Sequence, residues 1–233
     1  MLVNELELLK MVMSFFGVGR LTIRQDGTAH YEVTDNLLNV IIPHFDKYPL
    51  RGTKYFDFCS FKKAIDIFVS QNHRTEQGLS ELDKIHNSMN SYRKLSASSY
   101  IQPAHLIEGN KAYIPINGHY INGFLAGDGS IGLSLTSTKF CSMNLSFSQH
   151  VLNRPLMESI ANYFQSPTKI YPHGPNSIQI TLRGNKLWEN IIFKHFSEYP
   201  LYGSKTERLG KLFAIKEFLA SDDYLMKVGR ARQ

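Results

Sequence analysis

Cysteine is scarce in this 233-residue chain: Cys59 and Cys141 are the only two, and neither belongs to a C-x-x-C or C-x-x-H pair. Their scarcity excludes a disulfide scaffold and a cysteine-based structural zinc site. Long apolar runs are lacking too, none approaching the roughly 20 residues that span a bilayer. The opening MLVNELELLKMVMS carries acids where a secretory leader carries bases, so no signal peptide is expected. A phosphate-cradling glycine loop is also missing, because Gly17-Val18-Gly19-Arg20 is too short and reads as a helix-to-strand turn. Acids are in deficit, 20 against 26 Lys and Arg, for a net charge of +6. That surplus favours a polyanionic partner. With 42% hydrophobic and 20% charged residues the chain can build a sizeable core, as one large domain or two small ones.

What the chain does contain is an internal repeat. His44-Phe45, Tyr48-Pro49-Leu50 and Gly52-Thr53-Lys54 return as His195-Phe196, Tyr199-Pro200-Leu201 and Gly203-Ser204-Lys205, at a constant offset of 151 residues. A helical pattern follows each copy, through Phe58, Phe61, Ile65 and Phe68 in the first and Leu209, Leu212, Ile215 and Leu219 in the second. Upstream, residues 8–16 parallel residues 156–164 at an offset of 148. The chain reads as two copies of one α+β unit, over 1–92 and 116–233, joined by a Ser- and Pro-containing linker over 93–115. Recurrence of His44 and His195 points to a structural role for both, while Cys59, Cys141 and Trp188 sit in apolar company and are expected in the core.

Between the helices, apolar and polar residues alternate. Ile131, Leu133 and Leu135 form one such set, Met143, Leu145 and Phe147 another, and Ile178, Ile180 and Leu182 a third. In the first copy Leu21 and Ile23 alternate likewise, as do Ala29, Tyr31 and Val33. This period predicts antiparallel sheets with one face on helices and the other in solvent. The polar faces gather Arg20, Thr22 and Arg24 from the first copy, and Ser134, Thr136, Thr138, Lys139, Asn144, Ser146, Ser148, Gln179 and Arg183 from the second. They read either as an ordinary wet sheet face or as a hydrogen-bonding surface for nucleic acid, whose major groove admits a two-stranded ribbon. Arg230 and Arg232 in the basic tail add two more expected phosphate contacts.

The second copy opens with a segment that the first lacks, residues 116–130. Gly118, Gly123 and Gly127 fall in one helix, at a cost of about 1 kcal/mol each relative to alanine. Gly123 and Gly127, four apart, share a face that would admit a closely packed helix. Asp128 closes that helix and is placed to hold a hard divalent cation; taken alone, Asp128-Gly129 reads as a turn with Gly129 at positive φ. At either offset the counterpart of Asp128 falls before Met1.

Ile121-Asn122-Gly123-Phe124-Leu125-Ala126-Gly127-Asp128-Gly129 resembles the motif of the LAGLIDADG homing endonucleases. The YPL-x-G-x-K helix starts, the Phe15-Phe16-Gly17-Val18-Gly19 turn and the Ser148-Gln149-His150 strand end resemble the single-chain, double-motif branch of that family, over residues 4–220. The resemblance implies an α+β fold of two αββαββα units forming a saddle, here with the first unit truncated at its N-terminus. It further implies that two motif helices pack at the centre through Gly123 and Gly127, and that one acid from each binds Mg²⁺ for phosphodiester cleavage. By position, Asp128 matches the second acid, and Lys205 and Lys54 match the basic residues that approach the active site from the two repeats. With no first motif to match, the expected function is nucleic-acid binding without cleavage, of RNA before DNA. Such a protein would serve as a ribonucleoprotein component, as of an organellar ribosome, or as a maturase-like factor, with other proteins of the particle covering the motif helix. The alternative is an active, Mg²⁺-dependent, site-specific homing DNA endonuclease. The family's place in organellar introns implies a mitochondrial or other organellar protein.

Overall fold

A computed structural model describes residues 5–90, 103, 105, 110–111, 114–135, 141–166 and 169–220. Most of the expected linker therefore lies outside the described residues, as do Thr136, Thr138, Lys139, Arg230 and Arg232. None of the described helices is long and apolar enough to cross a membrane.

The first repeat runs α1 (Leu6–Phe16), β1 (Arg20–Ile23), β2 (Ala29–Glu32), α2 (Ile42–Lys47), α3 (Thr53–Val69) and α4 (Glu76–His86). The second runs α5 (Gly118–Asp128), β3 (Gly129–Leu135), β4 (Cys141–His150), α6 (Arg154–Tyr163), β5 (Tyr171–Pro172), β6 (Ser177–Arg183), α7 (Asn185–Leu187), α8 (Phe193–Glu198) and α9 (Lys205–Ala220). The duplication is visible in fine detail. A π-helical turn over Leu37–Ile41 leads into α2, and another over Trp188–Ile192 leads into α8, at the 151-residue offset throughout. Gly52 and Gly203 take φ of +63° and +88° before α3 and α9, a backbone region that favours glycine.

The sheets differ. β1 and β2 form a two-stranded antiparallel pair, with Leu21 opposite Tyr31. The second repeat has four strands in the order β3-β4-β6-β5, all antiparallel neighbours. Its period-2 alternation holds except at Leu133, which is 40% exposed: Ile131, Met143, Leu145, Phe147, Ile178, Ile180 and Leu182 are buried together with Met157, Ile160, Trp188 and Phe193 from the helices. In the first repeat the expected pattern fails at Ile23, which is 56% exposed, and β2 stops short of Val33. Among the described residues α1 is the main helix packed on this hairpin, and two short strands cannot bury a full sheet face. Phe68 is likewise 54% exposed on α3, and Cys59 is only half-buried.

Candidate metal and nucleic-acid site

The motif helix α5 starts where Asn117 takes an extended conformation and its side chain accepts a hydrogen bond from the Tyr120 N–H at 2.9 Å, an ordinary N-cap. Gly118 is required by packing, since a Cβ there would run into the Tyr199 ring. One turn on, Asn122 is buried and fully bonded. Its amide donates to the carbonyls of Tyr199 (2.6 Å) and Pro200 (3.3 Å). Its oxygen must then accept, so His195 donates from Nε2 at 2.8 Å and receives the Tyr163 hydroxyl proton on Nδ1 at 3.0 Å. This is the neutral imidazole. Burial pushes the His195 pKa down to about 4, against a small opposing pull from Glu198.

At the other end, Asp128 is exposed and accepts a hydrogen bond on Oδ2 from Gln149 Nε2 at 2.7 Å. Lys205, half-buried, donates from Nζ to the Ala126 carbonyl (2.6 Å) and more distantly to that of Gly127 (3.4 Å). It thereby satisfies carbonyls that the helix end leaves open. Burial holds the Lys205 pKa below the ordinary lysine value, while Glu5 and Asp128 pull it back up. Gly129 corrects the turn expected of Asp128-Gly129: its φ is −89°, extended rather than left-handed. Glycine is needed there because a Cβ would strike Leu125.

Of the three candidate catalytic residues, then, the structure brings together Asp128 and Lys205. Lys54, the counterpart of Lys205, instead donates to Asn90 Oδ1 (2.9 Å) and pairs with Asp57 (3.5 Å). No helix end among the described residues meets it. The same holds for the rest of the seat. Tyr163, Phe164, His195, Tyr199, Pro200 and Lys205 surround α5, and Phe15, Phe16, His44, Tyr48, Pro49 and Lys54 stand at the equivalent positions of the first repeat. Phe164 and His195 are buried where Phe16 and His44 are half-buried, and Tyr163 and Tyr199 are half-buried where Phe15 is 70% and Tyr48 57% exposed. The His44 ring makes edge contacts with Phe15, Phe16 and Phe45 and a tilted one with Tyr48.

Among the described residues, Gly123 and Gly127 face open space, with nothing within 4 Å of a Cβ on either. Each substitution Gly123→Ala and Gly127→Ala is therefore expected to stabilise this chain by about 0.5–1 kcal/mol, through helix propensity alone. Urea unfolding checks this, and a loss of stability at either position would mean that the face is already packed.

The polar sheet face is assembled largely as expected from the second repeat. Register places Ser146 between Ser130 and Thr181, Asn144 beside Arg183, and Ser148 beside Gln179. Asn144 donates to the Ser134 hydroxyl, and Ser146 to the Thr181 hydroxyl. Lys169, Tyr171, Gln179, Thr181 and Arg183 line a concave hollow at its far edge. In the first repeat, Thr22 and Arg24 are exposed, and Arg20 is bound to Glu32 at 3.1 Å.

Sequence reasoning passes over four residues that the structure puts at this site. Asn122 lies inside the motif and Gln149 inside the strand-end pattern, but neither position announces a partner. Asn153 donates to Gln149 Oε1 (2.8 Å) and accepts from the Thr53 N–H (2.9 Å). Glu5 accepts from the Ser204 N–H at 3.0 Å.

Among the described residues no group of three or more His, Cys, Asp or Glu could enclose a metal ion. Asp128 fits a hard cation in the way Mg²⁺ is commonly held, through one or two carboxylates with phosphate oxygens and waters completing the shell. Asp128 would hold it, Gln149 would orient Asp128, and Lys205 would stand beside them.

Comparison with known proteins agrees with this geometry. Residues 3–65 and 121–215, more than half of the chain, match the LAGLIDADG endonuclease family. Probable intron-encoded endonuclease 3 of Neurospora crassa is 28% identical over 215 residues, covering 87% of this chain and 40% of that protein. Probable intron-encoded DNA endonuclease 1 of Mycosarcoma maydis is 29% identical over 179 residues, covering 66% of this chain and 63% of that one. The chain thus spans less than two thirds of these relatives' length. Among solved structures, LAGLIDADG meganuclease I-CpaMI bound to uncleaved DNA superposes with a TM-score of 0.78 at 25% identity, covering all of this chain and 83% of that one. With its motif helix, repeated helix starts and polar antiparallel sheet, this chain belongs to the LAGLIDADG endonuclease family.

Proposed function

We propose that this chain recognises a specific site in double-stranded DNA and contributes one half of a Mg²⁺-dependent cleavage centre. The observation that carries the reading is the end of α5, where Asp128 is held by Gln149 while Lys205 ties down the adjoining carbonyls. Relatives named as endonucleases, and a structural neighbour bound to DNA, favour DNA over RNA and a nuclease over a degenerate RNA-binding factor. Intron-encoded relatives, one of them lying in intron 1 of ND4 in Podospora anserina, support an organellar origin. We assign residues 1–92 to the first repeat, 93–115 to the linker and 116–233 to the repeat that carries Asp128.

In this reading Arg20, Thr22 and Arg24 of one repeat, and Ser134, Asn144, Ser146, Ser148, Gln179 and Arg183 of the other, face the grooves. Such side chains donate to and accept from base edges, and the arginines also meet phosphate. Asp128 binds the cation through an oxygen, Gln149 keeps the carboxylate in place, and Lys205 sets a positive charge beside the reacting phosphate. The bound cation would polarise the phosphoryl oxygen and lower the pKa of an attacking water. A second carboxylate completes the site. The open face at Gly123 and Gly127 and the exposed seat around Phe15, His44, Tyr48 and Lys54 suit a second motif helix that brings it.

Selection from a randomised duplex library tests the reading. Repeated rounds are expected to enrich one DNA site, and RNA of the same sequence is expected to bind more weakly. With Mg²⁺, any cutting of that site is expected to be lost in Asp128→Asn. Preferential retention of RNA, or failure to enrich any sequence, would overturn the proposal.

A further inference from the structure

Two residues immediately before equivalent helices reach into opposite repeats. Asn153, ahead of α6, accepts the N–H of Thr53 at the start of α3. Glu5, ahead of α1 and 148 residues earlier, accepts the N–H and hydroxyl protons of Ser204 at the start of α9. Thr53 and Ser204 are themselves equivalents, 151 residues apart. Gly52 and Gly203 make both approaches possible, since a Cβ on either would collide with the capping side chain. Each repeat therefore caps a long helix of the other, α3 in the first and α9 in the second.

Only one of these caps continues. From Thr53 N–H the line runs to Asn153 Oδ1 at 2.9 Å, from Asn153 Nδ2 to Gln149 Oε1 at 2.8 Å, and from Gln149 Nε2 to Asp128 Oδ2 at 2.7 Å. Its direction is locked at both ends, because a backbone N–H can only donate and an ionised carboxylate can only accept. Turning either amide over would set donor against donor or oxygen against oxygen. Asn153 is buried while Asp128 is exposed, so an inner residue fixes an outer one that solvent would otherwise leave mobile. Glu5 cannot extend a line in this way, since its carboxylate has no proton to pass on.

We propose that Asn153 is a positioning residue that couples the Asp128 carboxylate to helix α3 of the other repeat through Gln149, and thereby sets the affinity of Asp128 for a divalent cation. The proposal rests on the reading of Asp128 as a cation-holding residue. It goes beyond that reading in placing control of the acid at a buried amide that touches neither Asp128 nor a substrate. Outer-sphere partners of metal ligands are worth about 10–100-fold in metal affinity.

The test uses the full chain, Mn²⁺ alone as the probe, and the variant Asn153→Asp. The substituted carboxylate can still accept from the Thr53 N–H, so the thermal midpoint is expected to stay within about 3 °C of the parent. It cannot donate to Gln149, whose amide then turns its N–H₂ toward the new anion and away from Asp128. The Gln149 side-chain amide signal in ¹H–¹⁵N spectra is expected to move in Asn153→Asp and in Asp128→Ala alike. The Mn²⁺ concentration that halves the Gly129 amide signal is expected to rise about tenfold in Asn153→Asp and in Gln149→Ala, with no further rise in the double variant. An unmoved Gln149 signal overturns the coupling. So does an Asn153→Asp effect of equal size with and without Gln149, because the added charge would then be acting directly on the ion. If Mn²⁺ never broadens Gly129 in the parent chain, the cation reading of Asp128 has failed, and the Gln149 signal alone decides whether the line exists.

Discussion

Asn122→Ala is expected to destabilise the protein by about 3 kcal/mol, more than its small loss of packing area would suggest. The side chain fills three hydrogen-bonding roles at once, donating to two carbonyls and accepting from a buried imidazole that also holds Tyr163. Truncation leaves the Tyr199 and Pro200 carbonyls and the His195 Nε2–H without partners in a region where His195 is only 5% exposed. Each orphaned buried group costs about 1–3 kcal/mol, and partial entry of water recovers some of it. For a chain of this size the thermal midpoint is expected to fall by about 10 °C. Asn122→Leu, which restores volume but not hydrogen bonds, is expected to do little better. A drop below about 3 °C in both variants would show that α5 is not anchored to α8 through this amide.

That anchor also shows what a single sequence reveals and what it hides. The duplicated His-Phe…Tyr-Pro-Leu-x-Gly pattern marks the helix starts because short-range backbone demands act on neighbouring residues: π turn, helix and left-handed glycine recur in register. The polar sheet face was legible for the same reason, since a period of two is enough to assign Asn144, Ser146, Gln179 and Arg183 to one side. Hydrogen bonds across 73 to 199 residues leave no such trace. Nothing local to Asn153 says that its oxygen will meet Thr53, nor can the alternation through Ile23 say that its sheet will stop at two strands. Lys54 carries the same lesson. Its position matches Lys205 residue for residue, yet a side chain takes the partners that surround it, and here these are Asn90 and Asp57.

Acid is expected to undo the same anchor. The neutral His195 accepts one proton and donates another, with Phe164, Phe196 and Tyr199 packed around its ring and Glu198 as the nearby charge. In the unfolded chain its pKa returns to about 6.5, while the folded value is about 4. Between these two values the unfolded state binds more protons, so stability rises with pH through this window and is lost as pH falls through it. The full difference corresponds to about 3 kcal/mol, complete only below pH 4, and its steepest part is about 1.4 kcal/mol per pH unit. His44 and His105 are also depressed by burial, and they add in the same direction. His195→Gln gives up baseline stability but cannot titrate here. Urea midpoints measured from pH 7 to pH 4.5 are therefore expected to fall markedly less steeply in the variant than in the parent. Parallel slopes would mean that His195 is hydrated or already protonated in the folded protein, and that Asn122 alone fixes the motif helix.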